Sequence, residues 1–224
     1  MSSTRAPLAD QTIGSHTFAS GTRDRRWYRW FTELSRHPSA TLAGVGACRS
    51  GRRTAGAALL LVAAGYSLVE LFLYLAEWTP IPGPALRIPT GEFYAWAAML
   101  CTPSMLGAWL LATALMQLLA RWAGGSGAFE RLAAATALAT AVGTSASMIP
   151  DLVTSSLGIY DNVHGTWVAL ASNLIFLPLQ VALLIGLYAA ALRTLHRLSR
   201  SRAAAIAVSG YLTYQGLLFL LFLR

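Results

Sequence analysis

The sequence predicts an all-α, polytopic membrane protein: a bundle of five transmembrane helices preceded by an amphipathic interfacial helix. Three observations lead there. The chain of 224 residues is 55% hydrophobic and only 12% charged, half the roughly 25% charge of soluble domains. Five apolar runs approach or exceed the roughly 20 residues needed to cross a ~30 Å hydrocarbon core. Arginines gather at alternate ends of those runs. A soluble fold of this size has too little polar surface to cover so much apolar area, whereas lipid removes the need for a polar shell.

The runs cover residues 55–77, 93–120, 132–150, 166–190 and 203–223, and together form a transmembrane domain over residues 55–224. The third is rich in Ala, Thr and Ser and is the weakest. Charge placement supports it. Nine Arg precede the first span, Arg121 and Arg131 flank the turn after the second, and Arg193, Arg197, Arg200 and Arg202 lie between the fourth and fifth. Five spans put these fifteen on one side and leave only Arg87 and Arg224 on the other. Omitting the third span would move four Arg across. The positive-inside rule then predicts a cytoplasmic N-terminus and a C-terminus outside. All seventeen basic residues are Arg, a bias associated with GC-rich bacterial genomes, so the expected location is a bacterial inner membrane. The net charge of +8 follows from this topology and does not imply nucleic-acid binding.

Residues 1–22 are polar and small and read as a disordered tail. Residues 23–54 form a basic cytoplasmic or interfacial segment. Within it, Asp24 to His37 reads as a helix that stops before Pro38. Trp27, Trp30, Phe31 and Leu34 recur at helical spacing, with Arg25, Arg26 and Arg29 on other faces. That is the pattern of a helix lying on anionic lipid, and the alternative is packing on the protein's own cytoplasmic face. Trp78 to Gly91 reads as a Pro-rich outer loop and Asp151 to Gly165 as a second one. No cleavable signal peptide is expected.

Glu70 is the most informative single residue. An intramembrane carboxylate exposed to lipid costs roughly 2–4 kcal/mol on insertion scales, so it is expected to face other helices or to be protonated. Asn173 and Gln180 share a face of the fourth span, and Tyr211, Tyr214 and Gln215 share one of the fifth. Glu70, Asn173, Gln180, Tyr214 and Gln215 are therefore a candidate polar seam, serving either as interhelical glue or as a path for a solute. Thr136, Thr140 and Thr144 read as a close-packing stripe. Pro150-Asp151 reads as the end of the third span, with Asp151 at the outer interface.

Cys48 and Cys101 have neither metal nor disulfide spacing, and the four His are isolated. Gly124-Gly125-Ser126-Gly127 lacks the preceding strand and following Lys of a phosphate loop. No cofactor, metal, nucleic-acid partner or catalytic constellation is expected.

The stretch Glu92-Phe93-Tyr94-Ala95-Trp96, with Pro103, Gly124-Gly125-Ser126-Gly127-Ala128-Phe129-Glu130 and Ile149-Pro150-Asp151, resembles the bacterial branch of the Yip (Ypt-interacting-protein) domain family over roughly residues 38–224. The resemblance implies five spans and a cytoplasmic N-terminus. The turn at Gly124, Gly125, Gly127 and Phe129, and the Pro150-Asp151 terminus, are the family-like pieces. The Asp-Leu-Tyr-Gly-Pro motif of GTPase-associated eukaryotic members is absent, and the resemblance supplies no catalytic residues. The expected role is a non-enzymatic, membrane-organising or protein-interaction one, with the lipid bilayer and a protein partner or second copy as partners. The alternatives are a small transporter, channel or lipid-handling protein using the seam around Glu70, or an accessory subunit of a membrane complex.

Overall fold

The helix that looked weakest as a span lies where the others converge. In the computed structural model, which describes residues 28–78, 89–157 and 164–221, the chain is all-helical among the described residues. Two short helices, α1 (Tyr28–Arg36) and α2 (Pro38–Ala47), precede five long ones: α3 (Arg49–Leu75), α4 (Phe93–Trp122), α5 (Phe129–Ser156), α6 (His164–His196) and α7 (Arg200–Leu221). All five long helices carry windows long and apolar enough to cross a membrane. They form a ring in the order α3, α4, α7, α6, α5, and α5 also leans across onto α4. In α5, 67% of the apolar window is buried by the protein, against 28–39% in the other four. Every residue from Leu132 to Thr144 except Ala133 and Val142 is buried. This accounts for its composition. Its surroundings are other helices rather than lipid, so small and hydroxylated residues that admit close neighbours suit it better than Leu. The other four present large side chains outward, among them Leu61, Met99, Leu174 and Leu212, as lipid contact requires.

The end of the bundle that gathers α2, the α4–α5 turn and the α6–α7 turn is termed basal, and the other end distal. At the basal end α2 packs on α5, α6 and α3. Leu42 and Val45 are fully buried there and join the main core with Leu132, Leu138, Leu184, Tyr188 and Leu192. Pro38 does not follow the end of the arm but opens a helix, at a position where its fixed φ and missing N–H cost nothing. The sequence hides α2 because Pro38–Ala47 is small and apolar on all sides and shows no amphipathic period. Cys48 caps α3, its Sγ accepting from Gly51 N–H at 3.3 Å. The helix therefore starts at Arg49, six residues before its apolar run.

Two further expectations change. Trp30 and Leu34 are buried in the protein's own core, with the Trp30 ring lying against Gly44 of α2. Phe31 is partly buried in the same cluster and Arg29 is exposed. The indole thus finds its apolar partner in α2, which sequence periodicity did not reveal, and is not presented to lipid. Arg25, Arg26, Trp27 and the tail at residues 1–22 lie outside the described residues.

Pro150 likewise does not end the third span, because α5 continues through it to Ser156. Such prolines are tolerated in membrane helices when neighbouring groups take up the freed backbone. The carbonyl that Pro150 deprives of its helical donor is that of Ala146; one turn on, Thr154 Oγ1 donates to the carbonyl of Pro150 itself at 2.9 Å. Asp151 consequently stays on the helix instead of leaving for a loop.

Candidate functional site

In the distal half of the bundle all five long helices contribute to one cavity of about 440 Å³, within the roughly 300–1,000 Å³ range of small-molecule sites. From α3 come Tyr66 and Glu70, and from α5 Thr144, Ser147 and Asp151. Gln180 of α6 and Tyr214 and Gln215 of α7 complete the polar part. The apolar part is Cys101 and Met105 of α4, Phe176 and Leu177 of α6, and Leu218 and Phe219 of α7.

Four of the five residues proposed as a polar seam, Glu70, Gln180, Tyr214 and Gln215, thus meet on one space. Asn173 belongs to α6, but its side chain lies outside the described residues. Tyr66 belongs with Glu70 one helical turn away, whereas Tyr74 is exposed. Asp151 was missed because Pro150 read as a helix end. The missing signal was positional: Thr136, Thr140, Thr144, Ser147 and Asp151 fall at successive steps of three or four, on one α5 face.

The cavity floor is held by a hydrogen-bond chain across three helices. Ser147 Oγ donates to Gln180 Oε1 at 2.7 Å, and Tyr66 Oη lies 2.7 Å from the same Ser147 oxygen, which leaves Tyr66 as donor. Beside this chain, the hydroxyls of Thr144 and Tyr214 face each other, and Gln215 Oε1 is buried with no hydrogen-bond partner among the described residues. They are oxygens aimed at or next to the cavity. Among the described residues no Arg or His lines it, and no three His, Cys, Asp or Glu cluster as a metal set would. Two carboxylates among hydroxyl and amide oxygens make a site that attracts positive charge and hydrogen-bond donors.

The threonine stripe does more than permit close packing. Thr136 accepts from Trp109 Nε1 at 3.1 Å and lies 2.9 Å from Thr113 Oγ1, both on α4. One turn on, Thr140 pairs with Tyr188 Oη of α6 at 2.6 Å. Each hydroxyl therefore ties α5 to a different neighbour. Tyr188→Phe will leave the buried Thr140 hydroxyl unsatisfied and lower stability by about 0.5–2 kcal/mol. Adding Thr140→Val should recover part of that loss, as a thermal-unfolding cycle in detergent would show.

The Gly124-Gly125-Ser126-Gly127 turn has a local reason for its glycines. Gly124 sits at φ +90, a left-handed conformation. A Cβ on Gly125 or Gly127 would come within 2.9 Å of the His196 ring and of backbone carbonyls. The turn closes on His196, whose Nδ1 accepts from Gly127 N–H at 3.1 Å, and Gln117 Nε2 donates to the Gly127 carbonyl at 2.9 Å. The pattern is therefore accounted for by packing of α4 and α5 onto the end of α6.

No known protein family, curated protein or solved structure matches the chain. Its function must be argued from its own residues.

Proposed function

We propose that the chain is a small solute-handling membrane protein that binds a positively charged ligand in the distal intramembrane cavity. The observation that carries this reading is the joint placement of Glu70 and Asp151 in one oxygen-lined cavity. Carboxylates within spans are costly and otherwise occur against partners, water or ligand. The reading requires binding and passage, not bond-making chemistry.

Orientation is part of the proposal. Arg49, Arg52 and Arg53 begin α3, and Arg200 and Arg202 begin α7, where the helix dipole disfavours cations. Helix stability does not explain them, and positive-inside sidedness does. Arg52 finds Glu130 at 2.6 Å, but the pair is exposed and adds little. The basal end is accordingly assigned to the cytoplasm, in a bacterial inner membrane.

The test is direct. In nanodiscs, radiolabelled phenethylamine, protonated at neutral pH, should bind saturably, and benzoate should not. Equal binding of benzoate, or failure of ammonium probes of any kind to bind, would remove the reading.

The membrane-organising, Yip-like reading remains as a second proposal and rests on one surface. Trp122 is 77% exposed at the basal end of α4, with Phe129 exposed across the turn. These aromatics suit either the membrane interface or a docked protein or second copy. Cross-linking in membranes should give a discrete dimer or hetero-complex that Trp122→Ala abolishes. A monomer at every protein density would end that reading.

A further inference from the structure

The two basal turns press on each other and bring arginines from separate helices to one place. Arg121 belongs to the last turn of α4. Arg202, in the first turn of α7, donates from Nη1 to the carbonyl of Ala123 at 3.2 Å, so its guanidinium is held under the same end of α4. Arg197 and Arg200 flank it on the α6–α7 turn, beside the His196 ring that packs on Gly125 and Gly127. A helix C-terminus carries about half a negative charge, far short of four guanidinia. All four residues are exposed, and none has a carboxylate partner among the described residues. Glu130, the acid in the first turn of α5, is already paired with Arg52.

Sidedness alone requires positive charge at this end, but it does not require this arrangement. A backbone carbonyl fixes the Arg202 guanidinium and leaves its other N–H donors open. Depth is fixed as well. On α4, Leu111, Leu118 and Trp122 follow at steps of seven and four, all exposed, and form one outward line. Trp122 ends that line where α4 leaves hydrocarbon for head groups, the level at which an indole is favoured. The guanidinia beside it therefore stand at phosphate depth. On α7, Arg202, Ser209 and Thr213 share a line at steps of seven and four. Ser209 and Thr213 turn their hydroxyls to carbonyls of their own helix, at 3.1 and 2.9 Å. The strip next to the guanidinium thus meets an acyl chain as carbon. A nucleic acid or an acidic protein would come from the water side and has no use for that strip.

We propose that the basal junction of α4 and α7 binds the phosphate group of an anionic phospholipid. Arg202 and Arg121 meet the phosphate oxygens, which match the planar fork of a guanidinium. Arg197 and Arg200 add to the attraction, and Trp122 lies at the level of the glycerol. The site is separate from the distal cavity and does not depend on the cation-binding reading.

Native mass spectrometry of the full chain in mild detergent tests this, with phosphatidylglycerol and phosphatidylcholine of the same acyl chains as probes. The wild type should retain phosphatidylglycerol about tenfold or more over phosphatidylcholine. Arg121→Gln with Arg202→Gln should lower phosphatidylglycerol retention about tenfold. Arg49→Gln with Arg53→Gln removes the same charge from the same end of the bundle, at α3, and should change retention by less than about twofold. Inorganic phosphate in millimolar excess should not displace the lipid. If the first double variant does not give a monodisperse peak, Arg202→Lys replaces it. Lys keeps the charge without the fork and should weaken retention about threefold. Equal retention of the two lipids, equal losses in the two double variants, displacement by inorganic phosphate, or an unchanged Arg202→Lys variant overturns the site. None of these results bears on ammonium binding in the cavity.

Discussion

Glu70→Gln will weaken phenethylammonium binding about 10–100-fold and leave the fold at least as stable as the wild type. Each charge-assisted hydrogen bond is worth about 1.5–3 kcal/mol, which corresponds to that range of Kd. Glu70 is 4% exposed, so little water remains to replace the lost charge. The amide keeps the shape of the carboxyl group and removes the cost of placing a carboxylate among apolar helices. Thermal unfolding in detergent should therefore show an unchanged or higher Tm beside the lost affinity. Asp151→Asn should act in the same direction but less strongly, because Asp151 is only partly buried and solvent can screen or replace it. The opposed signs give the experiment its force. A structural interhelical contact would lose stability with binding, whereas a ligand site should lose binding alone. If both variants bind as the wild type does, the cavity is not the cation site.

Some of this arrangement was legible in the sequence and some was hidden by it. Spans announce themselves because each apolar residue reports its own solvent. The polar seam was legible for a similar reason: Glu70, Gln180, Tyr214 and Gln215 are conspicuous against Leu and Ala, and helical spacing assigns them to inward faces. Asp151 was hidden by a rule that holds in water better than in a membrane bundle, where Pro150 interrupts a backbone bond without ending the helix. The apolar wall was hidden because Phe176, Leu177, Leu218 and Phe219 in a span look the same whether they face only lipid or a cavity as well. Helix α2 was hidden because burial on several sides leaves no period to read. The preference for lipid at Trp30 follows from that one: without α2 in view, nothing in the sequence said which surface would cover an indole at helical spacing with Phe31 and Leu34, and packing on the protein's own face stood only as the alternative.

The contact of α2 with α5 supplies a second large effect, on stability alone. Gly46→Ala should destabilise the protein by about 1–3 kcal/mol, and a larger side chain by more. A Cβ at Gly46 would come within 2.8 Å of the Arg131 carbonyl oxygen and 2.9 Å of its Cα. Those are backbone atoms in the first turn of α5, so no rotamer change relieves the clash and α2 must move away as a unit. Leu42 and Val45 leave the core with it, and so does the surface on which Trp30 rests. Gly56→Ala in α3 is the matching control, since a Cβ there meets nothing within 4 Å. It should be neutral or stabilising by up to about 1 kcal/mol, the usual gain from Gly to Ala inside a helix. Comparable Tm values for the two variants would mean that α2 does not seat as described. The same substitution separates stability from function. The cavity residues come from the distal halves of the five long helices, so Gly46→Ala should lower Tm and leave the Kd for phenethylammonium unchanged, the reverse of the result expected for Glu70→Gln.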